Sequence, residues 1–220
     1  MRAAPKLWFV LLAACSDAAK PAPSLAAAEP SIPTDAPLVV FLGDSITAGL
    51  HLPEAQAFPA VVQRSLLDAG QPFRLVNAGS SGDTSAGGLR RIDWLLKQKP
   101  ALVVVELGGN DGMRGQDVGP IHDNLEAILT KITAAGAKAL LLGMRIPSSY
   151  GPDYTAKFAG VYDRLAARWR DRGVGFVPFF MKNLVGKAEL FLDDGLHPSA
   201  AGQRVLAEAV TPAVAALLRR

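Results

Sequence analysis

The chain has 220 residues, 50% of them hydrophobic and 20% charged, with a formal net charge of +3 and one cysteine. That length suits one α/β domain plus a leader and buries a core without covalent staples, and the lone cysteine excludes an internal disulfide. Lys, Arg, Asp and Glu are interspersed, so no concentrated basic face points to nucleic acid or to a polybasic membrane surface.

Residues 1–15 read as an export signal. Arg2 and Lys6 precede the apolar run from Leu7 to Ala14, which has the charge order and length of a secretory h-region and is too short to span a bilayer. The run meets Cys15, and Leu12-Ala13-Ala14-Cys15 resembles the lipobox of bacterial lipoproteins. The resemblance implies that Cys15 becomes the lipidated first residue of the mature chain and anchors it on the periplasmic side of a bacterial membrane. The alternative is an ordinary signal peptide releasing a soluble periplasmic protein. Residues 16–37 are almost entirely Ala, Pro, Ser and charged residues, with prolines at 21, 23, 30, 33 and 37. That composition cannot nucleate a core, so the stretch is expected to be a disordered tether and residues 38–220 the folded domain.

The domain opens with Leu38 to Leu42, a short Val-rich apolar run suited to a strand covered on both faces. Gly43 permits a sharp turn, and Asp44-Ser45 follow at the carboxyl end of the strand. Phe58 to Leu67 has helical spacing and ends at Asp68-Ala69-Gly70. Phe73 to Val76 predicts a second strand leading into the small-residue segment Asn77 to Ser85, and Leu89 to Leu96 predicts a helix closed by Lys99-Pro100. Leu102 to Leu107 is the clearest buried strand and empties into Gly108-Gly109-Asn110-Asp111-Gly112, read as a small polar loop. An amphipathic helix over Ile121 to Ala135, a strand over Ala139 to Met144, a helix over Tyr154 to Arg172 and a strand over Val174 to Phe180 come next. The last helix, Ala200 to Leu218, contains Pro212, expected to kink or divide it. Alternating strands and helices with right-handed crossovers give a three-layer α/β/α domain around a five-stranded parallel sheet. Its loops carry Ser45, residues 79–85, residues 108–112 and residues 194–197 to one edge.

Those loops hold the parts of an acyl-transfer site. Ser45 is the candidate nucleophile and His197 the base. Asp194, three residues before His197 on a Gly- and Pro-bounded loop, is the acid that orients the ring, with Asp193 as its competitor. The backbone N–H groups of Ser45 and Gly82 and the side-chain amide of Asn110 are candidate donors to an oxyanion. Each piece alone has a plainer reading: Gly-Asp-Ser as a capped turn, Gly82 as a turn glycine, Asn110 as an Asx-turn.

Taken in order, Gly43-Asp44-Ser45, the block with Gly82-Asp83-Thr84, Gly108-Gly109-Asn110-Asp111 and Asp194-Gly195-Leu196-His197-Pro198 resemble the sequence blocks of the SGNH hydrolases, also called GDSL lipases and esterases. The likeness covers residues 38 to about 215. Val105 to Gly115, Arg145-Ile146-Pro147 with Tyr150-Gly151, and Pro178 to Met181 narrow it to the bacterial thioesterase I, protease I and lysophospholipase L1 group. The resemblance implies the flavodoxin-like SGNH fold, with Ser45, Gly82, Asn110 and His197 as signature positions and Asp194 completing a triad. It implies hydrolysis of acyl thioesters and carboxylic esters, including lysophospholipids and aryl esters, without metal or cofactor. It also implies a mobile loop over Gly112 to Asp117 and a groove where Met113, Ile146 and Pro147 line the acyl chain. The expected partner is a small-molecule acyl substrate, and the domain is expected to be a monomer. Family members of this group are typically soluble in the periplasm, a departure from the lipobox reading.

His51 is expected on a solvated loop and His122 on an exposed helix face, and no His, Cys, Asp and Glu cluster has metal-ligand spacing. A carbohydrate O-acetyl esterase of the same superfamily is the alternative enzyme. An anion- or nucleotide-binding module on residues 79–85 lacks the glycine fingerprints such sites need and leaves Asp194 and His197 without a task. A non-catalytic surface lipoprotein on the same scaffold would have no reason to keep every catalytic position.

Overall fold

The computed structural model describes Met1 and residues 31–219; the export signal, Cys15 and most of the tether lie outside them. An apolar strand with no polar alternation must be covered on both faces. β1 (Leu38–Gly43) is buried along its whole length. It pairs in parallel with β2 (Arg74–Gly79) on one side and β3 (Leu102–Glu106) on the other. β4 (Lys138–Leu142) and β5 (Val174–Val177) complete a five-stranded sheet in the order β2-β1-β3-β4-β5. In that order the strand direction of winding reverses at β1 and β3, and a crevice opens outside their carboxyl ends.

The described chain joins the fold before the first strand: Ala36 is buried and its carbonyl accepts from Arg74 Nε at 2.9 Å. α1 (Ser45–Ala48) is a single turn, and α2 (Phe58–Asp68), α3 (Ser85–Leu96), α4 (Gly109–Met113), α5 (Val118–Ala134), α6 (Pro152–Trp169) and α7 (Ala200–Arg219) follow in chain order. α2 packs on α7 over one face of the sheet, and α3, α5 and α6 cover the other. The core is one cluster running through β1, β3 and β4 into both helical layers.

Several boundaries differ from the sequence reading: α3 and α5 begin earlier, at Ser85 and Val118, β4 and β5 end earlier, at Leu142 and Val177, and three further differences bear on the site or the helices. Asn77, Ala78 and Gly79 continue β2, because Gly79 pairs with Gly43 and Asn77 Nδ2 donates to the Thr47 carbonyl at 3.0 Å. Residues 109–113 form α4 instead of a loop; Gly108, at φ 107°, turns the chain out of β3 and its carbonyl accepts from Gly112 N–H. Pro212 lies inside α7 without dividing it. Proline removes one backbone donor, and a twenty-residue helix buried along one side loses little by it.

Candidate active site

The sharp turn at the end of β1 places Ser45 at the start of α1, where Asp44 caps the helix by accepting from Ile46 N–H at 2.9 Å. Ser45 Oγ lies 2.9 Å from His197 Nε2. His197 Nδ1 lies 2.6 Å from Asp194 Oδ2, and Asp194 Oδ1 accepts from the backbone N–H groups of Leu196 and His197 at 2.8 and 2.9 Å. One carboxylate therefore folds its own loop and faces the ring. The N–H and ring contacts of His197, then the Leu196 N–H, hold the Asp194 carboxyl well below the usual carboxylate range. Asp193, its competitor, is exposed and makes no hydrogen bond among the described residues.

Ser45, Gly82, Asn110, His197, Met113, Ile146 and Pro147 line one cavity of about 630 Å³. Among the described residues neither the Ser45 nor the Gly82 N–H has a hydrogen-bond partner, so both remain open to an incoming oxygen. Asn110 is differently placed: Nδ2 donates to Asp44 Oδ2 at 3.1 Å and to the Asp83 carbonyl at 2.9 Å. Its amide is aimed and held, and a third acceptor must displace one of these two.

Beneath the nucleophile turn lies Glu106, 1% exposed at the end of β3. Its Oε2 accepts from Asp44 N–H at 3.2 Å and Thr47 Oγ1 at 2.7 Å, while Oε1 has no partner among the described residues. Burial, then the neighbouring Asp44, pushes the Glu106 carboxyl well up, and burial also raises Asp44. Both shifts favour the protonated form, and the raise is the larger at Glu106, whereas Ile46 N–H and Asn110 favour the charged form of Asp44. On the other side Arg91 Nε pairs with Asp83 Oδ2 at 2.8 Å, and its remaining nitrogens donate to the carbonyls of Ala78 and Gly43. Arg91 thereby ties the loop carrying Gly82 to the nucleophile turn.

A model of the GDSL-like lipase/acylhydrolase family matches residues 41–205, three quarters of the chain, a span that includes Ser45, Gly82, Asn110 and His197. The chain belongs to this family. The esterase TesA of Pseudomonas aeruginosa is 45% identical over 181 residues, covering 82% of this chain and 89% of that protein. Thioesterase 1/protease 1/lysophospholipase L1 of Escherichia coli K12 is 39% identical over 171 residues, covering 77% and 79%. A crystal structure of TesA superposes with a TM-score of 0.78 over 82% of this chain and 99% of that one. A psychrotrophic esterase EstA from Pseudoalteromonas sp., inhibited by monoethylphosphonate, superposes at 0.75 with 33% identity, covering 84% of this chain and all of that one. The fold is that of the SGNH esterases, and the chain is an ester-bond hydrolase.

Every site residue read from the sequence within the described region lies on the cavity or bonds to a residue that does. Glu106 and Arg91 were not singled out. Glu106 had a signal, since an acid closing an otherwise apolar buried strand needs a partner; Arg91 had none, because its helix carries polar residues around it. His51 is exposed at φ 66°, its ring edge-on to His197 with centroids 6.4 Å apart, and His122 lies on α5 beside Asp123, away from the cavity. Among the described residues no group of three or more His, Cys, Asp or Glu could hold a metal ion, and no helix is long and apolar enough to cross a membrane.

Proposed function

We propose that this SGNH hydrolase is a serine esterase acting on carboxylic esters and acyl thioesters, aryl esters, lysophospholipids and acyl-CoA among them, through Ser45, His197 and Asp194. The observation that carries the reading is the unbroken chain Ser45 Oγ–His197 Nε2–His197 Nδ1–Asp194 Oδ2, at 2.9 and 2.6 Å, opening onto a cavity of about 630 Å³. Ser45 Oγ attacks the acyl carbon as His197 Nε2 takes its proton, and Asp194 fixes the ring tautomer and offsets the imidazolium charge. The oxyanion accepts from the Ser45 and Gly82 N–H groups and from Asn110, which exchanges one of its present acceptors for it. Collapse releases the alcohol or thiol with the proton from His197. Water activated by the same ring then hydrolyses the acyl-Ser45 ester, and the scheme uses no cofactor. The wall of Ile46, Leu50, Ile146, Pro147 and Val185 favours medium and long acyl chains over the polar, acetyl-sized site of a carbohydrate deacetylase. The names of the relatives, an esterase, an arylesterase from Vibrio mimicus and a thioesterase with lysophospholipase activity, agree with that substrate range.

The test is hydrolysis of p-nitrophenyl esters from acetyl to long acyl by the wild type and Ser45→Ala. Turnover across medium and long chains that vanishes in the variant is expected. Activity confined to acetyl would favour the deacetylase. We further propose that residues 1–15 direct export, that Cys15 carries a lipid anchor on the periplasmic side, that the residues between Cys15 and the buried Ala36 act as tether, and that the folded domain acts as a monomer. Membrane fractionation against Cys15→Ser tests the anchor, and a wild type recovered wholly in the soluble fraction would remove it.

A further inference from the structure

Methionine supplies 4 of the 220 residues, and apart from Met1 all of them line the cavity beside Ser45. They come from separate segments: Met113 ends α4, Met144 follows β4 and Met181 follows β5. An uncommon residue type reaching one cavity from three places indicates a demand of that cavity rather than of any one element. Met144 is sealed, at 5% exposure, whereas Met113 and Met181 are half-buried and reachable from solvent. An unbranched side chain with three rotatable bonds and a polarizable sulfur conforms to chains of different length, which branched Leu or Ile cannot do.

We propose that Met113 and Met181 form an oxidisable wall of the acyl site: reduced, they accommodate long acyl chains, and as sulfoxides they exclude them while short acyl groups are still turned over. The proposal rests on the reading of this cavity as the acyl site. The oxidant is a peroxide. With hydrogen peroxide, the thioether sulfur attacks one peroxide oxygen, an S–O bond forms and the O–O bond breaks; sulfur loses two electrons, and the departing hydroxide takes the proton of the transferred oxygen and leaves as water. The new sulfoxide oxygen is a strong acceptor facing an apolar wall. A long acyl chain lying against it strips its water without offering a donor, a desolvation that lowers binding of that chain and of its transition state. An acetyl group stays beside Ser45 and leaves the sulfoxide hydrated.

The test treats the full chain with hydrogen peroxide, locates oxidation by peptide mass mapping, and compares kcat/KM for decanoyl and acetyl p-nitrophenyl esters. The decanoyl-to-acetyl ratio is expected to fall about tenfold, the effect of one polar group desolvated without a partner. Methionine sulfoxide reductases acting on both epimers should restore it. A Met113→Leu, Met181→Leu double variant, each sample compared with its own untreated control, should keep its ratio. An unchanged wild-type ratio with both sulfoxides formed would overturn the proposal, as would an equal fall in the double variant, or Met113 and Met181 remaining unoxidised. Hydrolysis by the untreated enzyme that survives Ser45→Ala would instead overturn the serine-esterase reading.

Discussion

Asp194 does two things with one carboxylate, and they can be separated. Oδ2 faces His197 Nδ1, and Oδ1 closes its own loop on two backbone N–H groups. Asp194→Asn can keep the loop bonds but turns a donor toward Nδ1, favouring the wrong ring tautomer. A fall in kcat of about 10²–10⁴ is expected for Asp194→Asn and Asp194→Ala alike, with Asp193→Ala within about twofold of wild type. Steady-state kinetics on one aryl ester checks all three, and Asp193→Ala falling below Asp194→Ala would reassign the acid. That Asp194 rather than Asp193 meets the ring was legible because an acid three residues before a histidine, within a tight loop, can reach it. Asn110 was legible as a donor but not as a donor already engaged, since its acceptors, Asp44 Oδ2 and the Asp83 carbonyl, come from two loops that only the fold brings together.

At the scale of elements, the active-site edge depends on how closely the first turn after β1 can approach its neighbours. Gly43 and Gly79 are paired in register at the ends of β1 and β2. The sequence gives Gly43 the look of a turn residue, yet neither glycine has a positive φ. Space is what each supplies. A Cβ on Gly43 would stand 2.0 Å from Thr47 Oγ1 and 2.7 Å from Glu106 Oε2, and one on Gly79 would stand 2.2 Å from Ala48 N. A backbone nitrogen cannot rotate away, so Gly79→Ala must displace α1 and Ser45 with it. A loss of about 1–3 kcal/mol is expected with a fall in kcat, read by denaturant unfolding and ester hydrolysis. A variant of wild-type stability and rate would show that α1 can yield. The far end of the same helix is held by Gln203 of α7, 1% exposed, which accepts from Phe58 N–H at 2.8 Å and donates to the Ile46 carbonyl at 3.1 Å. No side chain of its own caps α2, so Gln203 supplies the partner for one of its free N–H groups. Gln203→Leu leaves the buried Phe58 N–H unsatisfied and the Ile46 carbonyl with only its bond from Gly49 N–H, and a loss of about 1–3 kcal/mol in unfolding free energy is expected. The strands and long helices were legible from apolar periodicity alone. These contacts were not, because the partners lie as far apart as residues 46 and 203.

For the whole molecule, Glu106 links the nucleophile turn to stability through protons. Burial, reinforced by Asp44, holds its carboxyl well above the ordinary 4.5, and Asp44 itself is raised by burial above the ordinary 3.8. In the unfolded chain both acids ionise as pH passes those ordinary values, while the folded state retains its proton. Over that window the native state binds more protons than the unfolded one, so these two groups make stability fall as pH rises, until the folded carboxyl itself ionises. Most carboxylates with lowered values, such as Asp194, work in the opposite direction. Glu106→Gln keeps an oxygen for Asp44 N–H and Thr47 Oγ1 and removes the titration. The thermal midpoint of the wild type should therefore drop further than that of Glu106→Gln as pH rises above the ordinary carboxylate value of 4.5, with the surface carboxylates common to both proteins cancelling in the comparison. Parallel pH profiles, or a variant less stable than wild type only at the upper pH, would mean that Glu106 is ionised in the fold. Glu106→Gln should also keep Ser45-dependent turnover within about threefold, because a neutral amide reproduces what a neutral acid does there, whereas Glu106→Ala leaves Thr47 Oγ1 and the Asp44 N–H buried without an acceptor and frees the turn that aims Ser45.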